Sequence, residues 1–325
     1  MKNFRFLSRL AILASAVPFL SAARAEQTTA APVFLRSAET DAKLSAIQTG
    51  TIEFRPVEGV GPSVWLVGVA HLGTPEYYQA IQKRLEPMTV VLFEGVGLAE
   101  EIKQGPGTGD HDAGIQKQLS DALGLRFQLD AIDYRQPNFV NSDLPVEDVQ
   151  KEVEERAGAD GDETKTNETF NMLMQAIQGS GQAADMLKPM MAFLTATPEM
   201  RETTRLMLIE VLARAEEMVA LVRNVSPEMK DLFEVLLTER NAIVMRDLKT
   251  QLARLKSGES VAIFYGAAHM PELAKHLRTE FKYAPGAVQW DTAFTADPTK
   301  SAIQPAQMRL MLDMVRTQLQ TGGAR

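Results

Sequence analysis

Three short stretches of this chain are apolar almost without a break: Val64-Trp65-Leu66-Val67-Gly68, Thr89-Val90-Val91-Leu92-Phe93 and Val261-Ala262-Ile263-Phe264-Tyr265. Runs of this kind are expected of strands buried on both faces, as in parallel sheets covered by helices. Ahead of the first run, Thr51-Ile52-Glu53-Phe54-Arg55 alternates between polar and apolar residues, and Glu58-Gly59-Val60-Gly61-Pro62 is a turn cluster. Strand, turn and strand in that order predict an antiparallel hairpin. Between the first two runs, Thr74 can cap a helix that Pro75 opens and that extends to about Leu85. Strand, helix and strand within some 30 residues form a βαβ unit with parallel strands.

Beyond Phe93 the pattern is less regular. Residues 99 to 114 hold several Gly, Asp and Pro residues and predict a mobile loop. A helix is expected over 115 to 123, a short strand over Leu129–Tyr134, and a capped helix start at Asn141-Ser142-Asp143-Leu144-Pro145. Residues 152 to 163 form a charged, hydrated break. From Glu168 to about Val222 the apolar positions fall at helical spacing, as in Leu187, Met190, Met191 and Leu194. Residues 146 to 225 therefore predict a helical insertion or lid. Ser226-Pro227 begins another helix, Leu232 to Leu255 is strongly helical, and Gly258 ends it. After the third apolar run come a helix from Pro271 to about Phe281, a last strand at Val288-Gln289-Trp290 and a terminal helix from Met308 to Leu319. The expected fold is α/β: a mixed, mainly parallel sheet built from two strand–Gly-x-x-His–helix units, with a helical insertion.

The first residues stand apart from this pattern. Lys2, Arg5 and Arg9 precede the apolar run Leu10 to Leu20, and Ala23-Arg24-Ala25 resembles a cleavage site. This is the layout of a secretory signal peptide cut after Ala25, which implies a periplasmic or secreted protein. A retained anchor is the alternative, although the run falls short of the ~20 residues a spanning helix needs. Residues 26 to 45 are rich in Ala, Thr and Pro and predict a flexible lead-in to a single domain over 46 to 325. Cleavage removes four basic residues and no acids, taking the net charge from −8 to −12. So acidic a chain has no general attraction to nucleic acid or to anionic lipid, and no later stretch is long and apolar enough to span a membrane. It contains no cysteine, so any metal site must draw on His, Asp and Glu.

Two segments repeat one another. Val67-Gly68-Val69-Ala70-His71 is followed by Pro75-Glu76, and Tyr265-Gly266-Ala267-Ala268-His269 by Pro271-Glu272. Each repeat delivers a histidine at the carboxyl end of a strand, the edge where open α/β sheets bind ligands. Of the four histidines, His111 falls in a polar loop and His276 on a helix. Glu94 ends the second apolar run and reaches the same edge as His71 if their strands are neighbours. Two imidazoles and one carboxylate match a catalytic metal site with an open position. Arg240 lies on the helical face of Leu237 and Val244, and a charge on an apolar stripe needs a partner, either Glu94 or a substrate anion. The chemistry expected is hydrolysis assisted by a divalent ion of the Mn, Co or Zn class held by His71, His269 and Glu94. Glu94 serves as ligand or as general base, and Arg240 steadies charge developing on the attacked oxygen.

Val67-Gly68-Val69-Ala70-His71, Val91-Leu92-Phe93-Glu94, Glu239-Arg240-Asn241 and Tyr265-Gly266-Ala267-Ala268-His269 together resemble the TraB/PrgY/GumN family. That family is grouped with the Tiki-type, erythromycin-esterase-like and ChaN-like proteins. Its members have two Gly-x-x-His motifs, a glutamate after the second strand and an arginine in a helix before the last motif. The resemblance spans about residues 48 to 285 and implies those roles for His71, Glu94, Arg240 and His269. Ser142-Asp143-Leu144 resembles an acidic turn of the family more loosely. Because the Tiki-type branch is described as metalloproteases, the resemblance implies a metal-dependent, peptidase- or esterase-like hydrolase acting on a peptide or small carbonyl compound. The alternative is a binding or sequestering protein that holds a peptide or small ligand without turnover. In a haem-holding variant of that alternative the two histidines would be axial ligands.

Overall fold

In a computed structural model, residues 32–95, 115–145, 148–149, 151–152, 181–215, 217 and 234–322 are described. The signal peptide, the first part of the lead-in, the loop at 99–114, His111, the start of the helix at Ser226 and much of the stretch from 146 to 225 lie outside those residues. The described chain is an α/β fold. Its strands, in chain order, are β1 (Leu35–Glu39), β2 (Ser45–Pro56), β3 (Ser63–Val69), β4 (Leu72–Gly73), β5 (Val90–Phe93), β6 (Arg126–Phe127), β7 (Phe139–Asn141), β8 (Ser260–Gly266) and β9 (Tyr283–Ala296). The helices that concern the site are α1 (Pro75–Leu85), α2 (Ile115–Ala122), α3 (Gln128–Ala131), α4 (Gly181–Leu194), α5 (Pro198–Leu212), α6 (Arg240–Leu252), α7 (Met270–Thr279) and α8 (Pro305–Gly322).

The main sheet runs β1-β2-β3-β8-β5-β7, with β9 also paired to β2. The half made of β3, β8, β5 and β7 is parallel. The half made of β1, β2 and β9 is antiparallel, and β2 joins β3 as the expected hairpin. The last apolar run to be synthesised thus enters the sheet between the first two. β3 and β5 are not neighbours, as the sequence suggested they might be; β8 lies between them.

The apolar runs alternate between two cores. Val67, Val69, Val91, Phe93, Ala262 and Phe264 share one with Tyr77, Tyr78, Ile81 and Leu85 of α1 and Leu206 and Ile209 of α5. Val64, Leu66, Leu92, Ile263 and Tyr265 share the other with Val244 and Leu248 of α6 and Leu273 and Leu277 of α7. Helices on both faces explain why these strands carry no polar side. Leu206 and Ile209 are fully buried, so α5 packs as core beneath the sheet.

Several elements differ from expectation. The second half of the lead-in is structured: Leu35–Glu39 pairs antiparallel with Ser45–Thr49, and Phe34 beside it is fully buried. A ladder to β2 stabilises a strand that composition alone disguises. The stretch Leu129–Tyr134 is not a strand. It begins with the turn of α3, and Asp133 then accepts a hydrogen bond from the Arg135 backbone N–H at 3.1 Å. This local bond competes with ladder pairing, and the parallel strand forms at Phe139–Asn141 instead. Val288–Trp290 is the middle of the 14-residue β9. No helix among the described residues is long and apolar enough to cross a membrane.

The two Gly-x-x-His motifs lie one residue out of register. Gly68 pairs with Tyr265 and Val69 with Gly266. Paired residues of parallel strands share a face, so the two motif glycines look to opposite sides of the sheet. A Cβ at Gly68 would stand 3.1 Å from the Gly50 carbonyl oxygen and 3.3 Å from the Ala267 Cβ. Gly68→Val should therefore overpack this contact and lower stability by about 1–3 kcal/mol, read as a fall in the urea midpoint. An unchanged midpoint would contradict this packing.

Candidate functional site

Three of the four sequence-predicted groups, His71, Glu94 and His269, follow the ends of three different strands. After β3, the backbone of Ala70 is gripped from both sides by α1: its N–H donates to Tyr77 Oη at 3.0 Å, and its carbonyl accepts from Tyr78 Oη at 2.8 Å. The carbonyl of His71 itself accepts from the Gln128 N–H at 2.9 Å. His71 is thus fixed at its backbone while its side chain keeps surface open to solvent. After β5, the Glu94 N–H donates to the Phe264 carbonyl at 3.1 Å, continuing the parallel ladder by one residue. After β8, a short turn over Ala267–His269 leads into α7, and His269 is buried.

Arg240 is the first residue of α6 and follows a π-helical turn over Glu234–Glu239; such turns recur at functional positions. It is 8% exposed. Its Nη2 donates to Glu94 Oε1 at 2.6 Å and to Asp143 Oδ2 at 2.7 Å, its Nε to Asp143 Oδ1 at 2.9 Å, and its Nη1 to the Leu236 carbonyl at 3.2 Å. Four of its five N–H groups are thereby committed. The charge on the apolar stripe finds the partner the pattern called for, and a second one besides.

That second partner is Asp143. Its carboxylate is wholly buried and also accepts from the backbone N–H of Gly95 at 2.9 Å and of Leu144 at 2.8 Å. The sequence signal at Asn141–Pro145 pointed to a helix start, and the Val149 N–H does donate to the Pro145 carbonyl at 3.0 Å; the acid also seats the guanidinium. Ser142, one residue before, donates to Asp247 of α6 at 2.8 Å, and Tyr265 donates to the Ser142 carbonyl.

The groups converge on Gly266. Its N–H donates to Glu94 Oε2 at 2.6 Å. A Cβ at this glycine would lie 3.2 Å from Glu94 Oε2, 3.4 Å from His71 Nε2 and 3.8 Å from His269 Cδ2. His269 Nε2 stands 3.6 Å from Glu94 Oε1. Its Nδ1 is 2.8 Å from Asn241 Oδ1, and Asn241 Nδ2 donates to Glu272 Oε2 at 2.9 Å. Asn241 and Glu272 fall inside the sequence motifs, but nothing local in the sequence marks either for a role. His276, a turn further along α7, lies against Glu280 and has its Nε2 3.9 Å from Glu272 Oε1.

With both imidazoles neutral, Glu94, Asp143 and Arg240 leave the cluster one negative charge. Burial alone would raise the Glu94 pKa, but the charge of Arg240 and the neighbouring imidazoles hold it well below the usual 4.5. His71 is shifted down from 6.5 by the protein packed around its ring; Glu94 opposes this, and Arg240 and His269 add to it. Arg240 is held firmly protonated: its burial is outweighed by its two carboxylates.

Among the described residues no three His, Asp or Glu side chains already stand as a ready metal-holding group. The donors nonetheless suit a divalent ion: the His71 Nε2, the edge of the His269 ring and an ionised carboxylate gather beside the Cβ-less Gly266, and each Glu94 oxygen has a second lone pair beyond the N–H it accepts. The TraB/PrgY/gumN family model matches residues 125–280. That span includes Asp143, Arg240, Asn241 and His269 and stops short of His71 and Glu94. No curated protein and no solved structure matches the chain.

Asp143→Ala would leave Arg240 short of a buried partner and should cost about 3–5 kcal/mol in denaturant unfolding; a loss under about 1 kcal/mol would contradict the assigned pairing. The depressed pKa of Glu94 stabilises the fold above about pH 4.5, and this contribution fades as acid protonates the carboxylate. Wild type should thus lose stability more steeply than Glu94→Gln below pH 4.5. Parallel profiles of urea midpoint against pH would refute this.

Proposed function

We propose that this chain, similar to the TraB/PrgY/gumN family over residues 125–280, is an exported metal-dependent hydrolase of peptidase or esterase type. The observation that carries this reading is the convergence of His71 Nε2, the His269 ring and the Glu94 carboxylate on the space left by the missing side chain of Gly266. A divalent ion of the Mn, Co or Zn class, held by the two imidazoles and Glu94, would supply an activated water and polarise a carbonyl. A position crowded by three groups at 3.2–3.8 Å suits a small cation better than a porphyrin.

The chain's own residues divide the work. His269 offers Nε2 because Nδ1 is taken by Asn241. His71 brings Nε2 to the Gly266 position, and as an exposed residue it marks where a peptide or small carbonyl substrate would approach. A general base works best with a pKa near the operating pH. Glu94 is held far more acidic than that, which favours an anionic ligand over a base. Arg240, with four N–H groups spent, keeps Glu94 ionised and in place, and the Gly266 N–H orients its second oxygen. This gives Arg240 a positioning role. The apolar run ahead of Ala25 supports export.

One observation favours a second reading. Glu94 and Arg240 already neutralise one another, as they would in a protein that holds a peptide or small ligand without turning it over.

Elemental analysis of the purified mature protein should find about one divalent ion per chain, and His71→Ala and His269→Ala should each lower that content at least tenfold. Equal metal content in wild type and both variants would overturn the metal reading. Saturable binding of peptides without turnover in the metal-loaded protein would favour the second.

A further inference from the structure

The hydrogen bonds behind His269 form a directed chain, and the direction follows from chemistry alone. Glu272 lies within the first turn of α7. An ionised carboxylate only accepts, so the Asn241 group that faces it at 2.9 Å must be the amide nitrogen. The Asn241 oxygen therefore faces His269, 2.8 Å from Nδ1. A carbonyl oxygen also only accepts, so Nδ1 must carry a proton. In the neutral ring the other nitrogen, Nε2, then bears the bare lone pair, and Nε2 is the atom turned toward Glu94. Asn241 is 1% exposed and His269 4% exposed, so no water competes freely for these bonds. Tyr265 closes the remaining side, its ring edge-on to the imidazole at 5.3 Å.

We infer that Asn241 and Glu272 are positioning residues that lock His269 in its Nδ1–H tautomer and aim Nε2 into the site. The inference rests on His269 belonging to the centre proposed above. It gives a role to the Pro-Glu pair that follows the second histidine motif. In the first motif the corresponding Glu76 is exposed, and no side chain among the described residues hydrogen-bonds the His71 ring in the same way. The two histidines therefore differ in kind: one is rigidly oriented and buried, the other is held by its backbone and open to solvent.

With only four histidines in the chain, nitrogen-15 NMR of the metal-free protein can assign each ring's tautomer above about pH 8, where an ordinary imidazole is neutral. Wild type should show His269 as the Nδ1–H form. In Asn241→Leu, Nδ1 loses its acceptor, and the Nε2–H form should become dominant. Zinc affinity should fall about 10–100-fold, as for loss of an outer partner of a ligating histidine. Glu272→Gln, at a half-buried position, should keep the fold and populate both tautomers, because the new amide no longer dictates how Asn241 faces. An Nε2–H ring in wild type, or a pure Nδ1–H ring retained in folded Asn241→Leu, would overturn the inference. If Asn241→Leu does not fold, the same retention in Glu272→Gln would do so. A tautomer that shifts as expected in a wild-type protein that takes up no zinc would leave the relay standing and remove the metal reading.

Discussion

A guanidinium buried between two carboxylates holds the carboxyl edge of this sheet together. Arg240 arrives from a helix, Glu94 from the end of β5 and Asp143 from just beyond β7. None of the three is tolerable alone in the interior, where an unpaired charge costs several kcal/mol. Their mutual satisfaction is completed by backbone donors from Gly95, Leu144 and Gly266. The consequence reaches past stability. Glu94 is kept ionised, one of its oxygens is fixed by Arg240 and the other by Gly266, and the carboxylate is thereby aimed at the two imidazoles.

The insertion of β8 between β3 and β5 makes this convergence possible. Strand ends that sequence order sets far apart become a row of three, with His71, Gly266 and Glu94 side by side. The one-residue offset between the histidine motifs then divides the labour of their glycines. Gly68 allows two strands and a turn to approach; Gly266, without a Cβ, lets Glu94 and the two histidine rings gather beside it. Two nearly identical sequence patterns thus place their glycines in different surroundings, one against backbone and a turn, the other beside a carboxylate and two imidazoles.

Much of this could be read from the chain. The unbroken apolar runs marked strands covered on both faces, and the histidines after two of them fell at one edge. Arg240 on an apolar stripe demanded an acid, and Glu94 is 2.6 Å away. What was illegible depended on pairing over long distances. Nothing local in Leu35–Glu39 distinguishes it from its Ala- and Thr-rich surroundings; its partner β2 makes it a strand. Residues 129–134 alternate like a strand, but the Asp133 side chain takes the backbone elsewhere. Asp143 carries the signature of a helix cap because the same short acid that accepts backbone N–H groups at a helix start does so here at Gly95 and Leu144. Only the fold shows that a guanidinium shares it.

The account turns on whether the space beside Gly266 is where a metal ion sits. Its backbone angles, φ −50° and ψ 137°, are open to any residue, so Gly266→Ala tests the space and not the backbone. Calorimetric titration of the metal-free Gly266→Ala protein with zinc should show affinity lowered at least tenfold beside an unchanged fold, because the new methyl would lie 3.2 Å from Glu94 and 3.4 Å from His71. Zinc binding by a folded Gly266→Ala protein as tight as by wild type would contradict the account.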